Sequence, residues 1–127
     1  MTTTVLIVDD SKLARIVAAK AVTALQPDWQ RVEASNAGEA LELIAQRHID
    51  VALLDFNMPG KNGVELAEEL RKLRPLMPIA LVTANIQNEV VAAAKAVKAV
   101  FVAKPVTQEG LQSFLDTAAR MLAAENT

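Results

Sequence analysis

Five short apolar runs separated by segments of helical periodicity constrain the fold of this chain more than any other feature. The runs cover residues 5–8, 31–34, 51–54, 79–82 and 100–103, and the second is the weakest because charged residues interrupt it. Between the runs, apolar residues recur three and four positions apart, which is the spacing of one helix face. Strands that alternate with helices form parallel βαβ units. The sequence therefore predicts an α/β fold, a doubly wound parallel sheet of five strands with five helices on its two faces.

The same segments predict where helices begin and which face they bury. Ser11 precedes the first helix, Asn36 with Glu39 three residues later predicts a capping box, and Thr107 opens the last helix. The segment 86–99 is predicted to be the fourth helix, although no glycine marks its end. The first helix is predicted to turn these residues toward the core: Leu13, Ile16, Val17, Ala21 and Leu25.

Length, charge and composition exclude several classes of protein. The 127 residues fit one domain, residues 1–127, with no segment left for an output domain. A formal net charge of -2 argues against nucleic acid as the main partner, and the absence of cysteine excludes disulfides and thiolate metal sites. No apolar run approaches the ~18 residues that span a bilayer, and the first residues do not have the pattern of a signal peptide. We expect a cytoplasmic protein with no membrane partner.

Polar side chains follow four of the five apolar runs. Asp9 and Asp10 follow the first run, Asp55 the third, Thr83 the fourth and Lys104 the fifth. Open parallel sheets bind ligands at the carboxyl ends of their strands, where the strand order reverses. We therefore expect three carboxylates, a hydroxyl and an ammonium to converge on one site.

This set of groups suits the transfer of a phosphoryl group to a carboxylate. Mg²⁺, or Mn²⁺ in its place, prefers the oxygen ligands that clustered carboxylates and a backbone carbonyl supply. An ammonium and a hydroxyl can hold the phosphoryl oxygens. Asp55 suits the nucleophile best, because it ends the expected central strand and carboxylates form aspartyl-phosphate intermediates. Each acid taken alone could instead cap a helix or a turn.

Four short motifs lie in order at the predicted strand ends. They are Asp9-Asp10-Ser11, Leu54-Asp55-Phe56-Asn57-Met58-Pro59 with Gly63, Val82-Thr83-Ala84, and Lys104-Pro105. With these motifs the chain resembles the receiver domain of two-component response regulators from residue 5 to about residue 122. The resemblance implies a flavodoxin-like sheet of strand order 2-1-3-4-5. It also implies a phosphoacceptor signalling module that is not a turnover enzyme.

The resemblance further implies a role for each acid. Asp55 would accept a phosphoryl group from a phosphohistidine on a sensor histidine kinase or a phosphotransfer protein. Asp10, Asp55 and the backbone carbonyl of Asn57 would hold Mg²⁺, with Asp9 as a second acid that acts directly or through water. Asn57 and Asn85 flank the expected route of the hydrolytic water, so we also hypothesise that they tune the lifetime of the phosphorylated state.

The switch residues follow from the same resemblance. Thr83 and Lys104 would contact the phosphoryl group, and the Lys104-Pro105 peptide would be cis. Phe101 would be the switch aromatic that turns inward behind Thr83. The fourth helix, fifth strand and fifth helix would then present a new surface to a downstream protein, in a monomer or a weak dimer. Phe101 replaces the Tyr often found there, and the usual glycine near the end of the fourth helix is absent.

Two other functions remain open from the sequence. An aspartate-nucleophile phosphohydrolase needs a second acid two residues after the nucleophile, and Asn57 is a poor general acid. A phosphate-independent scaffold with the same fold is harder to exclude. His48 is expected at the surface, and Trp29 is expected to pack at the sheet edge. Lys12 and Arg15 are expected either to help a kinase dock or to be solvated.

Overall fold

Five strands and five helices alternate along the chain, as the apolar pattern predicts. The computed structural model describes residues 2–84 and 87–125, and no helix within those ranges is long and apolar enough to cross a membrane. The elements are β1 (Thr4–Val8), α1 (Lys12–Leu25), β2 (Gln30–Ala34), α2 (Ala37–Gln46), β3 (Val51–Asp55), α3 (Gly63–Leu73), β4 (Ile79–Thr83), α4 (Asn88–Ala96), β5 (Val100–Ala103) and α5 (Gln108–Glu125).

The strands form one parallel sheet in the order β2-β1-β3-β4-β5. This confirms the predicted fold and strand order. The chain passes from β1 to β2 on one side and then crosses back to β3 on the other side of β1. The strand order therefore reverses between β1 and β3, and their carboxyl ends form the edge at which such sheets bind ligands.

The helices bury both faces of the sheet. Successive strand residues point to opposite faces, so Leu6 and Leu54 pack with α2, α3 and α4, whereas Ile7 and Leu53 pack with α1 and α5. Strands β1, β3 and β4 are buried along their whole length, as expected for a covered parallel sheet. The site at the carboxyl edge is thus built on a rigid core.

The buried face of α1 differs from the prediction in its first turns. Leu13 and Ile16 are 70% and 39% exposed, and the fully covered residues are Ala18, Ala21 and Val22. Leu13 instead lines a cavity beside the carboxyl ends of the strands, together with Val82 and Lys104, and is left uncovered there. The small side chains that follow let the helix approach the sheet closely. The prediction is therefore wrong for Leu13 and Ile16 and confirmed for Ala21, while Val17 and Leu25 are partly buried.

The three predicted capping side chains are confirmed, but the predicted capping box is wrong. Ser11, Asn36 and Thr107 each accept a hydrogen bond from a backbone N–H in the first turn of the helix that follows. The Glu39 carboxylate does not bond to the N–H of Asn36. It accepts the N–H of Ser35 at 2.7 Å and the Ser35 hydroxyl as well.

Helix α4 is shorter than the predicted segment 86–99, and it ends without a glycine. Lys98 takes the left-handed conformation there, with φ of 57°, which costs a non-glycine residue roughly 1 kcal/mol. The guanidinium of Arg71 compensates, because it donates to the carbonyl oxygens of Val97 at 3.1 Å and Lys98 at 3.2 Å. It also donates to Met77 at 2.7 Å, which ties the end of α4 to the start of β4. The predicted start at residue 86 lies outside the described residues.

Candidate functional site

Three carboxylates meet where β1 and β3 end. Asp9 and Asp55 are 6% and 5% exposed, and Asp10 beside them is exposed. One oxygen from each of the three lies within 4.8 Å of the other two. The parallel register that pairs Val8 with Leu54 is what brings the strand ends together. Hard oxygen donors in this arrangement are compatible with a divalent metal site.

Lys104 reaches the same site from the end of β5. Its Nζ donates to Asp9 Oδ2 at 2.9 Å and lies 3.4 Å from Asp55 Oδ1. One ammonium thus faces two buried carboxylates, with the exposed Asp10 next to them. The site therefore carries excess negative charge, which favours a further cation.

Burial and the neighbouring acid perturb the titration of Asp55. Desolvation, followed by the charge of Asp9, raises the pKa of Asp55 from 3.8 to about 6, while Lys104 and a backbone hydrogen bond from Asn57 act in the opposite direction. Burial disfavours the charged Lys104, but its hydrogen bond to Asp9 and the charges of Asp55 and Asp9 outweigh this effect and raise the pKa of Lys104. The ammonium therefore stays charged, and the raised pKa makes the charge of Asp55 depend on pH near neutrality.

The residues predicted to act as the switch lie on or next to β4 and β5. Thr83 is 1% exposed, and its carbonyl oxygen accepts a hydrogen bond from the Lys104 N–H at 2.9 Å. Phe101 is half-buried on β5 opposite Leu81. The Lys104-Pro105 peptide bond is cis. The inward turn of Phe101 stays a prediction.

Of the two asparagines expected to tune the lifetime, the structure describes Asn57. Asn57 follows Asp55 by two residues in the loop after β3, and its side chain is exposed. Asn85 lies outside the described residues.

The start of α3 packs against the backbone of Asp55. A Cβ on Gly63 would lie 2.3 Å from the Asp55 carbonyl oxygen, so only glycine fits there. The Gly63 N–H donates to Phe56 at 3.1 Å. The helix is fixed by a reciprocal capping box between Asn62 and Glu65. We did not predict this capping box, although the sequence has the pattern that indicates one, an Asn followed by a Glu three residues later.

Two further donors hold Asp9 that sequence reasoning did not identify. The backbone N–H of Ser11 donates to Asp9 Oδ1 at 2.9 Å. The guanidinium of Arg15 donates to the backbone carbonyl oxygen of Asp9 at 2.7 Å. Arg15 is therefore engaged within the protein and mostly covered, whereas Lys12 is exposed. A role of the pair in docking a kinase stays a prediction. No pattern in the sequence indicated this contact, which joins a residue at the end of β1 to one in α1.

A family model and several known proteins match the chain. The model described as the response regulator receiver domain matches residues 5–116. A protein-glutamate methylesterase/protein-glutamine glutaminase of Thiobacillus denitrificans is 40% identical over 118 residues, which cover 88% of this chain and 33% of that protein. The positive alginate biosynthesis regulatory protein of Pseudomonas aeruginosa is 40% identical over 120 residues, which cover 91% of this chain and 47% of that protein. The chain thus spans about a third to a half of the length of these relatives.

The fold also matches that of solved structures. The chemotaxis protein CheY4 of Vibrio cholerae superposes with a TM-score of 0.84 at 27% identity, over 93% of this chain and 99% of that one. A CheY-like receiver domain protein of Methanospirillum hungatei gives a TM-score of 0.82 at 26% identity, over 98% and 99% of the two chains. These structures share the fold over nearly their whole length.

Proposed function

The chain belongs to the response regulator receiver domain family, and from this we propose that Asp55 is its phosphoacceptor. Membership makes the chain a phosphoacceptor signalling module. The observation that supports Asp55 is its position: it is buried at the end of the central strand, between two further acids and an ammonium. Asp9 already spends one oxygen on Ser11 and the other on Lys104. Asp55 also accepts a backbone hydrogen bond from Asn57, but its contact with Lys104 is longer than that of Asp9, at 3.4 Å against 2.9 Å, so the ammonium holds Asp55 less tightly.

The proposed reaction transfers a phosphoryl group from a phosphohistidine of a kinase or phosphotransfer protein. An oxygen of ionised Asp55 attacks phosphorus and forms an O–P bond while the N–P bond breaks. The imidazole nitrogen leaves with the electron pair of the broken bond. Because the pKa of Asp55 is about 6, most of the carboxylate is ionised at neutral pH and able to attack.

We propose that Asp10, Asp55 and the backbone carbonyl of Asn57 hold Mg²⁺, or Mn²⁺ in its place, with Asp9 as the second acid. When bound, the cation neutralises charge on the transferring group. Lys104 is already directed at Asp55 and is available to donate to a phosphoryl oxygen. Thr83 at the end of β4 supplies the hydroxyl that completes the set.

We propose that phosphorylation alters the face formed by α4, β5 and α5, and that this face binds a downstream protein or a second copy weakly. Val100 and Met121 on this face are 46% and 40% exposed, and half-buried Phe101 follows Val100 on β5. Exposed apolar side chains of this kind are typical of a binding surface.

We propose that residues 1–127 act as one receiver unit without turnover activity of their own. The chain covers 33% of the methylesterase it resembles, so the activity in that protein's name is not carried over. Asn57 stands where a phosphohydrolase needs its acid, which disfavours that alternative. Turnover of a generic phosphomonoester by the purified chain would contradict this proposal.

Incubation with acetyl phosphate and Mg²⁺, followed by intact-mass measurement, tests the acceptor. We expect the mass of one phosphoryl group to be added to the wild type in the presence of Mg²⁺. No mass should be added when EDTA is present from the start. Asp55→Asn should remain unmodified, whereas Asp28→Asn, which removes an exposed carboxylate before β2, should be modified like the wild type. Retention of the phosphoryl group by Asp55→Asn would rule Asp55 out.

We propose that Asn57 tunes the lifetime of the phosphorylated state, because its exposed side chain follows the acceptor by two residues. Asn57→Ala should change the rate of dephosphorylation without preventing phosphorylation. The decay of the phosphorylated mass measures this rate. An unchanged rate would remove the proposed role, and Asn85 can be tested in the same way.

A further inference from the structure

Arg15 makes two contacts that phosphoryl transfer does not require. It lies on the second turn of α1, and its side chain is only 16% exposed. Its Nη1 donates to the backbone carbonyl oxygen of Asp9 at 2.7 Å, and its Nε donates to Glu33 Oε1 at 3.0 Å. The guanidinium therefore bridges the end of β1 and the edge strand β2.

The contact with Arg15 completes the set of bonds that hold Asp9. The Asp9 N–H donates to the carbonyl of Ala34 on β2 at 3.1 Å. Ser11 and Lys104 bond to the two carboxylate oxygens. The remaining oxygen, the backbone carbonyl, is the one that Arg15 holds. This carbonyl belongs to the peptide that joins Asp9 to Asp10, so its orientation determines where the Asp10 side chain leaves the backbone.

The charge of Arg15 is neutralised locally. A lone guanidinium beside three carboxylates would compete with a metal ion for their field. Glu33, whose side chain is 42% exposed, pairs with the guanidinium on the side away from Asp9. Arg15 thus holds the turn that carries Asp9 and Asp10, and the ion pair that it forms with Glu33 has a net charge close to zero.

We propose that Arg15 is a positioning residue for the metal site: it orients the Asp9–Asp10 peptide, and Glu33 offsets its charge. The inference rests on the proposed function, because it concerns the metal that Asp10 and Asp55 would hold. Partners that orient metal ligands typically change metal affinity by 10–100-fold when they are removed. Arg15 acts through the two aspartates and does not itself contact the phosphoryl group.

The test is Mg²⁺ affinity, measured by isothermal titration calorimetry on protein shown to be folded by circular dichroism and urea unfolding. We expect Arg15→Met to weaken binding about 10-fold or more. The Mg²⁺ affinity of Arg15→Lys should lie between those of the wild type and Arg15→Met, because an ammonium lacks the planar fork with which the guanidinium makes both contacts. Lys12→Met removes an exposed cation from the same helix and should leave affinity unchanged or slightly tighter. Unchanged or tighter binding by Arg15→Met would overturn the proposal, since removing a mere repelling charge tightens binding.

Salt dependence separates the roles of the two partners. Glu33→Gln leaves the hydrogen bond from Arg15 to Asp9 in place but removes the negative charge that offsets the guanidinium. We therefore expect Mg²⁺ binding to weaken about 3-fold at low salt and to recover as added salt screens the guanidinium. The loss in Arg15→Met should persist at high salt, because it arises from misplaced ligands. If both losses vanish at high salt, Arg15 acts only through charge and the positioning role is wrong.

A readout without metal distinguishes failure of this inference from failure of the proposed function. In EDTA, Arg15→Met should speed amide hydrogen exchange of Ser11, whose N–H bonds to Asp9 Oδ1, whereas Lys12→Met should not. If the wild type binds no Mg²⁺ while Ser11 responds as expected, the metal assignment fails and the anchoring of the turn stands. If the wild type binds Mg²⁺ and neither affinity nor Ser11 exchange responds to Arg15→Met, only this inference is overturned.

Discussion

Replacing Asp55 with Asn should stabilise the metal-free protein in a manner that depends on pH. Burial and the charge of Asp9 raise the pKa of Asp55 from 3.8 to about 6. The folded state therefore holds the Asp55 proton more tightly than the unfolded state does. This contribution to stability is fully present below the unfolded pKa and is lost as pH rises through 6. Asn cannot ionise, so the variant does not lose it.

The size of the effect follows from the pKa difference. A shift of about 2 units corresponds to about 3 kcal/mol at about 1.4 kcal/mol per unit. Part of this is already lost at pH 4.5, where the unfolded carboxyl is mostly ionised. We therefore expect the free energy of unfolding of Asp55→Asn, relative to the wild type, to rise by about 2 kcal/mol between about pH 4.5 and pH 7.5.

Urea unfolding in EDTA, followed by far-UV circular dichroism at both pH values, measures this difference. Asp28→Asn is the matched control, because it removes an exposed carboxylate and should show little pH-dependent difference from the wild type. Added Mg²⁺ should reverse the order, since a ligand of the folded wild type stabilises it by mass action. A stability difference that stays constant or shrinks from pH 4.5 to 7.5 would refute the electrostatic account of Asp55.

Three further predictions follow from the site and its surroundings. Lys104→Met should slow phosphorylation by acetyl phosphate 10-fold or more, yet leave Mg²⁺ affinity undiminished because the group removed is a competing cation; weaker metal binding would mean that Lys104 orders the acids. Gly63→Ala should cost about 3 kcal/mol or more in urea unfolding because its Cβ meets the Asp55 backbone, whereas Gly110→Ala in α5 should change stability by about 1 kcal/mol or less. The fluorescence of Trp29, buried before β2 at the opposite end of the sheet, should barely respond to Mg²⁺; a large saturable quench would contradict that.

Most of the fold could be predicted because its signals are local. Each buried strand is a contiguous apolar run, and side-chain caps such as those of Ser11 and Thr107 are encoded within four residues. The convergence of Asp9, Asp55 and Lys104 could also be predicted, because parallel strands bring their carboxyl ends to one edge. The strand order came from the resemblance and not from any local pattern.

The features that could not be predicted depend on contacts between elements that are distant from each other in the sequence. Periodicity assigned Leu13 to the core, but its side chain lines an open cavity beside the strand ends and stays exposed. The end of α4 depends on Arg71, which is 26 residues before the carbonyl of Val97 that it contacts. Arg15 and Glu33 are 18 residues apart and meet only because β2 lies beside β1. Contacts of this kind carry no short-range signature in a single sequence.

The hydrogen bond between the Lys104 N–H and the Thr83 carbonyl joins the two strand ends at the site. Breaking a buried bond of this kind leaves a donor and an acceptor unsatisfied, at about 1–3 kcal/mol for each. The backbone of Thr83, which carries the hydroxyl, and the backbone of Lys104, which carries the ammonium, are therefore coupled, so that a displacement of one segment displaces the other. We therefore expect a shift of the Thr83 backbone to move Lys104 and, through its ion pairs, the side chains of Asp9 and Asp55.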